Sequence, residues 1–236
     1  TIEYGDAKPV YTVSVSGLVN GDSAPAFVAA SDYDPADPDN KNAGTYDITV
    51  TAQNLDNYEV ATADYNKGTL TVEQKKITVQ ISSHSVVYGA AGADLTADGS
   101  WTVTNGALVN GDTNADLGIT LEKAANGLNG STAVSGNVVG VYDITGKSTS
   151  TNYSVEFKNG TYVITKATLT VTANDDSITY GDALPADFSV AYSGFVNGDN
   201  ENASGVWVAG KGTAKFNCPY TAGSGVGTYL ITPYGL

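Results

Sequence analysis

The sequence has no arginine and no methionine, one cysteine and one histidine. Each shortage excludes something. All eleven basic residues are lysines, set against 25 acidic residues for a net charge of −14, so no guanidinium is present to clamp a phosphate or carboxylate with two parallel bonds. Nucleic acid and anionic membrane surfaces repel such a chain, which excludes them as partners. With Cys218 alone, no internal disulfide can form, and the fold must rest on its apolar cores. His84 and Cys218 lie far apart in sequence, and neither a GxSxG elbow nor an HExxH helix occurs, so no catalytic residues and no cofactor are expected. No apolar run approaches the roughly 18 residues of a membrane span, so no membrane insertion is expected. The lack of methionine, and of a secretory apolar segment after Thr1, reads as an excised fragment without its targeting information.

What is present is repetition. "SGLVNGD" at 16–22 returns as "GALVNGD" at 106–112 and as "SGFVNGD" at 193–199. The aligned Asn20, Asn110 and Asn197 stand 90 and then 87 residues apart. Tyr4-Gly5, Tyr88-Gly89 and Tyr180-Gly181 keep step, as do Tyr46, Tyr142 and Tyr229 in "GTYDIT", "GVYDIT" and "GTYLIT". A unit near ninety residues is a small self-contained module, longer than a solenoid coil of roughly 20 to 45 residues. Three copies are delimited at 1–75, 76–166 and 167–236, the first lacking its opening strand and the third its C-terminal hairpin.

Two-residue alternation runs through the chain, the mark of half-buried strands. Ile77, Val79 and Ile81 share one face of their segment, as do Leu169, Val171 and Ala173, and Tyr46, Ile48 and Val50. The stretch "NYSVEFKNGTYVIT" reads as a hairpin, with Asn159-Gly160 as a tight turn of two positive-φ residues. In each "VNGD" an apolar strand end meets Asn-Gly, which favours a left-handed turn. Asp22, Asp112 and Asp199, which follow Gly21, Gly111 and Gly198, are each placed to cap a short helical turn. The expected fold class is therefore mainly β: tandem small modules of immunoglobulin-like β-sandwich type, each with one short helical turn. The alternative is a β-grasp-like α+β module in which that helix packs across the sheet.

These motifs carry a resemblance. "TYGDALP" with "SGFVNGD" and "GVGTYLI", together with "NYSVEFKNGTYVITKATLTV", resembles the MBG-type repeat of the YGX variety, which occurs in multiples within large bacterial cell-surface and adhesin-like proteins. The likeness covers essentially the whole chain. It implies an extracellular, cell-surface, non-enzymatic repeat protein and supplies no catalytic residues. Copy two departs from the pattern, since "YGAAGADL" lacks the aspartate and proline found at Asp6 and Pro9 and at Asp182 and Pro185.

A few polar residues outside the repeat pattern are candidate sites. "SDYDPADPDN" offers Asp32, Asp34, Asp37 and Asp39 as calcium ligands, but it lacks the EF-hand spacing and occurs once, so a solvated acidic loop is the favoured reading. Trp101 and Trp207 could stack a sugar, although the repeated tyrosines sit at inward positions that suit a core. Joints written "TVEQKKITV" and "VITKATLTV" have no flexible linker, which predicts stiff connections and an extended rod. The functional expectation is a stalk or spacer whose partners are the neighbouring repeats of the same chain. The alternative is that the repeats themselves adhere to glycan or to a host surface protein.

Overall fold

The computed structural model of the protein describes residues 1–53, 55–61, 66–92, 95, 99–200 and 214–235. In chain order its strands are β1 (Ile2–Glu3), β2 (Ala26–Ser31), β3 (Gly44–Gln53), β4 (Gly68–Glu73), β5 (Lys75–Ile81), β6 (His84–Val87), β7 (Trp101–Asn105), β8 (Thr120–Lys123) and β9 (Asn126–Asn129). They continue with β10 (Thr132–Ser135), β11 (Gly140–Lys147), β12 (Tyr153–Lys158), β13 (Gly160–Thr165), β14 (Thr170–Ala173), β15 (Val190–Ser193), β16 (Lys215–Asn217) and β17 (Thr232–Tyr234). The chain is thus mainly β. Among the described residues no helix is long and apolar enough to cross a membrane.

Two compact units result. Thr1–His84, Asp94–Ala125 and Tyr142–Tyr162 form one, and Ser85–Ala93, Asn126–Val141 and Val163–Leu236 the other. Copy two contributes to both.

In the first unit a sheet of order β1-β4-β3-β2 comes from copy one. β1 runs parallel to β4 with Ile2 opposite Val72, β4 antiparallel to β3 with Leu70 opposite Tyr46, and β3 antiparallel to β2 with Val50 opposite Ala29. The alternation of β3 puts Tyr46, Ile48 and Val50 inward, as the period of two requires. A second sheet places β5 between β12, parallel to it, and β7, antiparallel with a bulge at Thr78/Val79. With both edges covered, β5 buries Thr78 as well as Ile77, Val79 and Ile81. Each of those aliphatic side chains contributes about 1.5 to 3 kcal/mol through removal from water. One cluster of buried side chains joins Tyr4, Tyr33, Leu70 and Val72 of copy one to Ile77, Val79, Leu117 and Tyr153 of copy two, so the core is continuous across the copy boundary. Only Gln74 separates β4 from β5.

In the second unit β14 pairs antiparallel with β15, Val171 opposite Tyr192, and β16 with β17, Phe216 opposite Pro233. β9 and β10 form an antiparallel pair from copy two. The joint "VITKATLTV" differs from its counterpart, because residues 166–169 lie outside the strands.

Two expectations are corrected. Asn159-Gly160 is not a hairpin turn: neither residue has a positive φ, β12 lies parallel against β5, and β13 belongs to a different sheet. Glycine is needed at 160 for close approach, since a Cβ there would overlap the carbonyl oxygens of Ile81 and Ser82. The helix after "VNGD" is also not general. Copy one continues irregularly to β2, and copy two has one 3-10 turn, Asn114–Leu117, whose start is Thr113, with the Asp116 carboxylate accepting from Thr113 N at 2.7 Å. In copy three the residues after Asn200 lie outside the described residues. The physical reason is that Asp22 and Asp112 have other partners.

Candidate functional site at the joints between copies

Each "VNGD" closes a turn in which the aspartate amide donates to the valine carbonyl: Asp22 N to Val19 O at 3.0 Å, Asp112 N to Val109 O at 3.0 Å, and Asp199 N to Val196 O at 2.9 Å. Both central residues are left-handed, with φ of 53° and 73° at Asn20 and Gly21, 56° and 77° at Asn110 and Gly111, and 55° and 79° at Asn197 and Gly198. That is a type I′ turn, the conformation Asn-Gly adopts with least strain. It frees the aspartate carboxylate to face outward.

The carboxylate faces the Tyr-Gly of the preceding copy. Within the first unit Tyr4 Oη donates to Asp112 Oδ2 at 2.8 Å, across 108 residues of sequence. Within the second unit Tyr88 Oη donates to Asp199 Oδ2 at 3.0 Å, across 111. The adjoining glycine completes the fit. A Cβ at Gly5 would lie 2.5 Å from Val109 Cγ2, and one at Gly89 would overlap Val196 in the same way. Gly5, Gly89 and Gly181 keep φ of 93°, 86° and 91°, so the Tyr-Gly turn is preformed in all three copies. Asp6 and Asp182 brace it, their carboxylates accepting from Glu3 N at 2.9 Å and Thr179 N at 3.1 Å. Copy two has alanine there, Ala90, whose amide still donates to Val87 O at 2.9 Å. The backbone turn therefore forms without the carboxylate brace.

The first joint has further partners. Tyr153 Oη donates to the same Asp112 Oδ2 at 3.0 Å and accepts from Val109 N at 2.8 Å, and its ring meets that of Tyr4 edge to face at 5.4 Å. Lys41 Nζ reaches Asp112 Oδ1 and the Asn110 carbonyl, each at 3.2 Å. Asn152 of copy two donates from Nδ2 to Asn42 Oδ1 at 2.8 Å and accepts from Ala43 N at 2.9 Å. Burial pushes the Tyr4 and Tyr153 hydroxyls above the ordinary tyrosine range, and the neighbouring Asp112 carboxylate adds to it. The bond to Asp112 raises the Lys41 ammonium. Asp112 thus takes donors on both carboxylate oxygens and fastens the two copies together.

Tyr58 is the counterpart of Tyr153 in copy one. It donates to Asp22 Oδ2 at 2.6 Å and accepts from Val19 N at 3.1 Å. Here the turn is open, with Val19 59% exposed. Tyr180 is likewise 67% exposed, whereas Tyr4 is fully buried. The sequence reading missed Lys41, Tyr58 and Tyr153 as joint residues. The recurrence of Asn-Tyr at 57–58 and 152–153 was the available sign, since a polar residue kept beside an inward tyrosine asks for a partner.

The other candidates fall elsewhere. In the acidic loop Asp34 Oδ1 accepts from Ala36 N at 2.9 Å, and Asp37 accepts from Asp39 N at 3.0 Å and Asn40 Nδ2 at 2.9 Å. These are turn-forming bonds, and they hold the Asp37 carboxyl below its usual range, the Asp39 amide first. Among the described residues no three His, Cys, Asp or Glu side chains cluster as a metal site, and Asp32 and Asp39 join no such group. Trp101 packs against the core cluster of the first unit. Trp207 lies outside the described residues.

A family model described as the MBG domain, YGX type, matches residues 1–71, 77–163 and 169–236. No match is found among curated proteins or among solved structures.

Proposed function

This chain belongs to the MBG domain family of the YGX type, in three consecutive copies, and on that premise we propose that it is a structural repeat region, a stalk or spacer of a bacterial extracellular surface protein or adhesin. It acts without catalysis, and its working partners are its own neighbouring repeats. The observation that carries the reading is the repeated joint, in which the Tyr-Gly of one copy fastens onto the Val-Asn-Gly-Asp of the next, once in each unit. The continuous core at the first joint supports it further, because a boundary filled with buried side chains resists bending. Adhesion by the repeats themselves draws less support, since Trp101 is used in packing. For the module we favour the immunoglobulin-like sandwich over the β-grasp form, because the 3-10 turn at Asn114–Leu117 is too short to cross a sheet.

Small-angle scattering on the monomer tests the stalk. Three end-to-end modules, each on the order of 35 Å from about ten residues at a strand rise, give a length of about 100 Å. A compact chain of this size would have a radius of gyration of about 18 Å. An observed radius near the compact value would remove the basis for a spacer role.

A further inference from the structure

Lys41 is held in place from both sides. Before it, the Asn40 carbonyl accepts from Asp34 N at 3.1 Å, and after it the Asn152 side chain clasps Asn42 and Ala43 at 2.8 and 2.9 Å. The ammonium so placed meets Asp112 Oδ1 and the Asn110 carbonyl, each at 3.2 Å. The other carboxylate oxygen, Oδ2, takes two hydroxyls, Tyr4 Oη at 2.8 Å and Tyr153 Oη at 3.0 Å. Water is largely kept away: the Lys41 and Asp112 side chains are 19% and 9% exposed, whereas the Lys75–Glu3 pair leaves its carboxylate 44% exposed.

An ion pair needs only opposite charges in contact. Here two hydroxyls also converge on one carboxylate oxygen while an amine sits against the other, which is the arrangement that promotes acyl transfer: donors fixed where negative charge develops, and a nucleophile beside the oxygen that leaves. Well-oriented groups held in contact react as though at effective concentrations on the order of 10⁵ to 10⁸ M, which offsets the sluggishness of an unactivated acid. Poor access of water favours the neutral amine and acid over the ion pair, and favours an amide over both.

We propose that Lys41 and Asp112 are the site of a self-formed isopeptide bond, which joins copy one covalently to copy two across 71 residues of sequence. The ion pair is the starting state. The ammonium passes one proton to Oδ1, and the neutral amine then attacks Cγ to form the C–N bond. Negative charge gathers on Oδ2, where the Tyr4 and Tyr153 hydroxyls hold it. A second proton moves from the nitrogen to Oδ1, the C–Oδ1 bond breaks, and one water leaves, so that nothing is oxidised or reduced and no co-reactant is needed. The event happens once and without turnover. It is particular to the first joint, because the same distance ahead of Tyr142 and Tyr229 as Lys41 is ahead of Tyr46 stand Asn137 and Ser224, neither of which carries an amine nucleophile. This cross-link goes beyond the stalk reading and does not depend on it.

The test is intact-mass spectrometry of the full 236-residue chain, refolded from denaturant and sampled over a time course. The folded chain should become lighter than its sequence mass by one water, and proteolysis should then yield a branched fragment that contains both Lys41 and Asp112. Lys41→Arg keeps the cation but offers no amine that deprotonates, so it should hold the full mass. Tyr4→Phe and Tyr153→Phe each take one hydroxyl from Oδ2, and each should slow formation by roughly a hundredfold, with circular dichroism to show that the variant is folded. Full sequence mass in the folded wild-type chain at the end of the course would overturn the proposal. So would a water loss that Lys41→Arg retains, as a cyclic imide at an aspartate would give. Unchanged rates in both tyrosine variants would overturn the part assigned to the hydroxyls.

Discussion

The joint can be measured directly by a double-mutant cycle on Tyr4 and Asp112. Tyr4→Phe removes one hydroxyl and keeps the ring that packs on Tyr153, while Asp112→Asn removes the charge and keeps the shape of the turn. The bond between them is 2.8 Å long, Tyr4 is fully buried, and the Asp112 side chain is 9% exposed. A hydrogen bond to a charged group in such a place contributes about 1.5 to 3 kcal/mol. Asp112 keeps Tyr153 and Lys41 when Tyr4 is changed, so part of the loss is recovered and a coupling of about 1 to 2 kcal/mol is expected. Tyr58 and Asp22 form the internal control. Their bond is shorter, 2.6 Å, but exposed, and water competes for both groups, so their coupling should stay below about 1 kcal/mol. Urea unfolding followed by circular dichroism gives the four free energies, with a constant slope required across the variants. A Tyr4–Asp112 coupling no larger than that of the control pair would refute the view that the motif pair fastens one copy to the next.

Alanine at Gly5, Gly89 and Gly181 should separate backbone strain from the joint: all three positions have positive φ and lose about 1 kcal/mol for it. Only the first two also overlap Val109 or Val196, which adds roughly 1 to 3 kcal/mol, and equal losses in thermal melts at all three would show that the valines do not press on the glycines. Tyr142→Ala should lose about 3 to 5 kcal/mol, because Tyr142 is 1% exposed with Lys123 Nζ 4.0 Å from its ring centroid; a urea titration giving less than about 1 kcal/mol would contradict that burial. Stability should also fall in alkali. Tyr4 and Tyr153 ionise above the ordinary range when folded, so above about pH 10 the unfolded chain loses these protons first, and stability drops by about 1.4 kcal/mol per pH unit for each group until the folded hydroxyls titrate. Flat denaturation midpoints from pH 9 to 11 would show that the two hydroxyls are solvated.

The repeat, the mainly β class and the inward faces of the strands were legible because they are local. Tyr46, Ile48 and Val50 alternate on the chain and therefore on the sheet, and Asn-Gly in "VNGD" carries its left-handed turn within four residues. The same Asn-Gly at 159–160 misled, because alternation says which side chains face inward and is silent on the partner strand and its direction. Strands β12 and β13 satisfy an identical pattern whether they pair with each other or enter different sheets. The edge of β5, which β12 takes, decides for the second arrangement.

Recurrence of Tyr-Gly and of Val-Asn-Gly-Asp marked both motifs as important and assigned each a turn, and it went no further. That they meet depends on two turns more than a hundred residues apart being brought together by the sheets between them. A carboxylate in a type I′ turn caps a helix or accepts from a distant tyrosine with the same local geometry. Sequence determined the turn itself, since only backbone preference is needed to form it. Tertiary structure decided its partner, because a hydrogen bond to a buried hydroxyl exists only once the packing of two copies has excluded the water that would otherwise take its place.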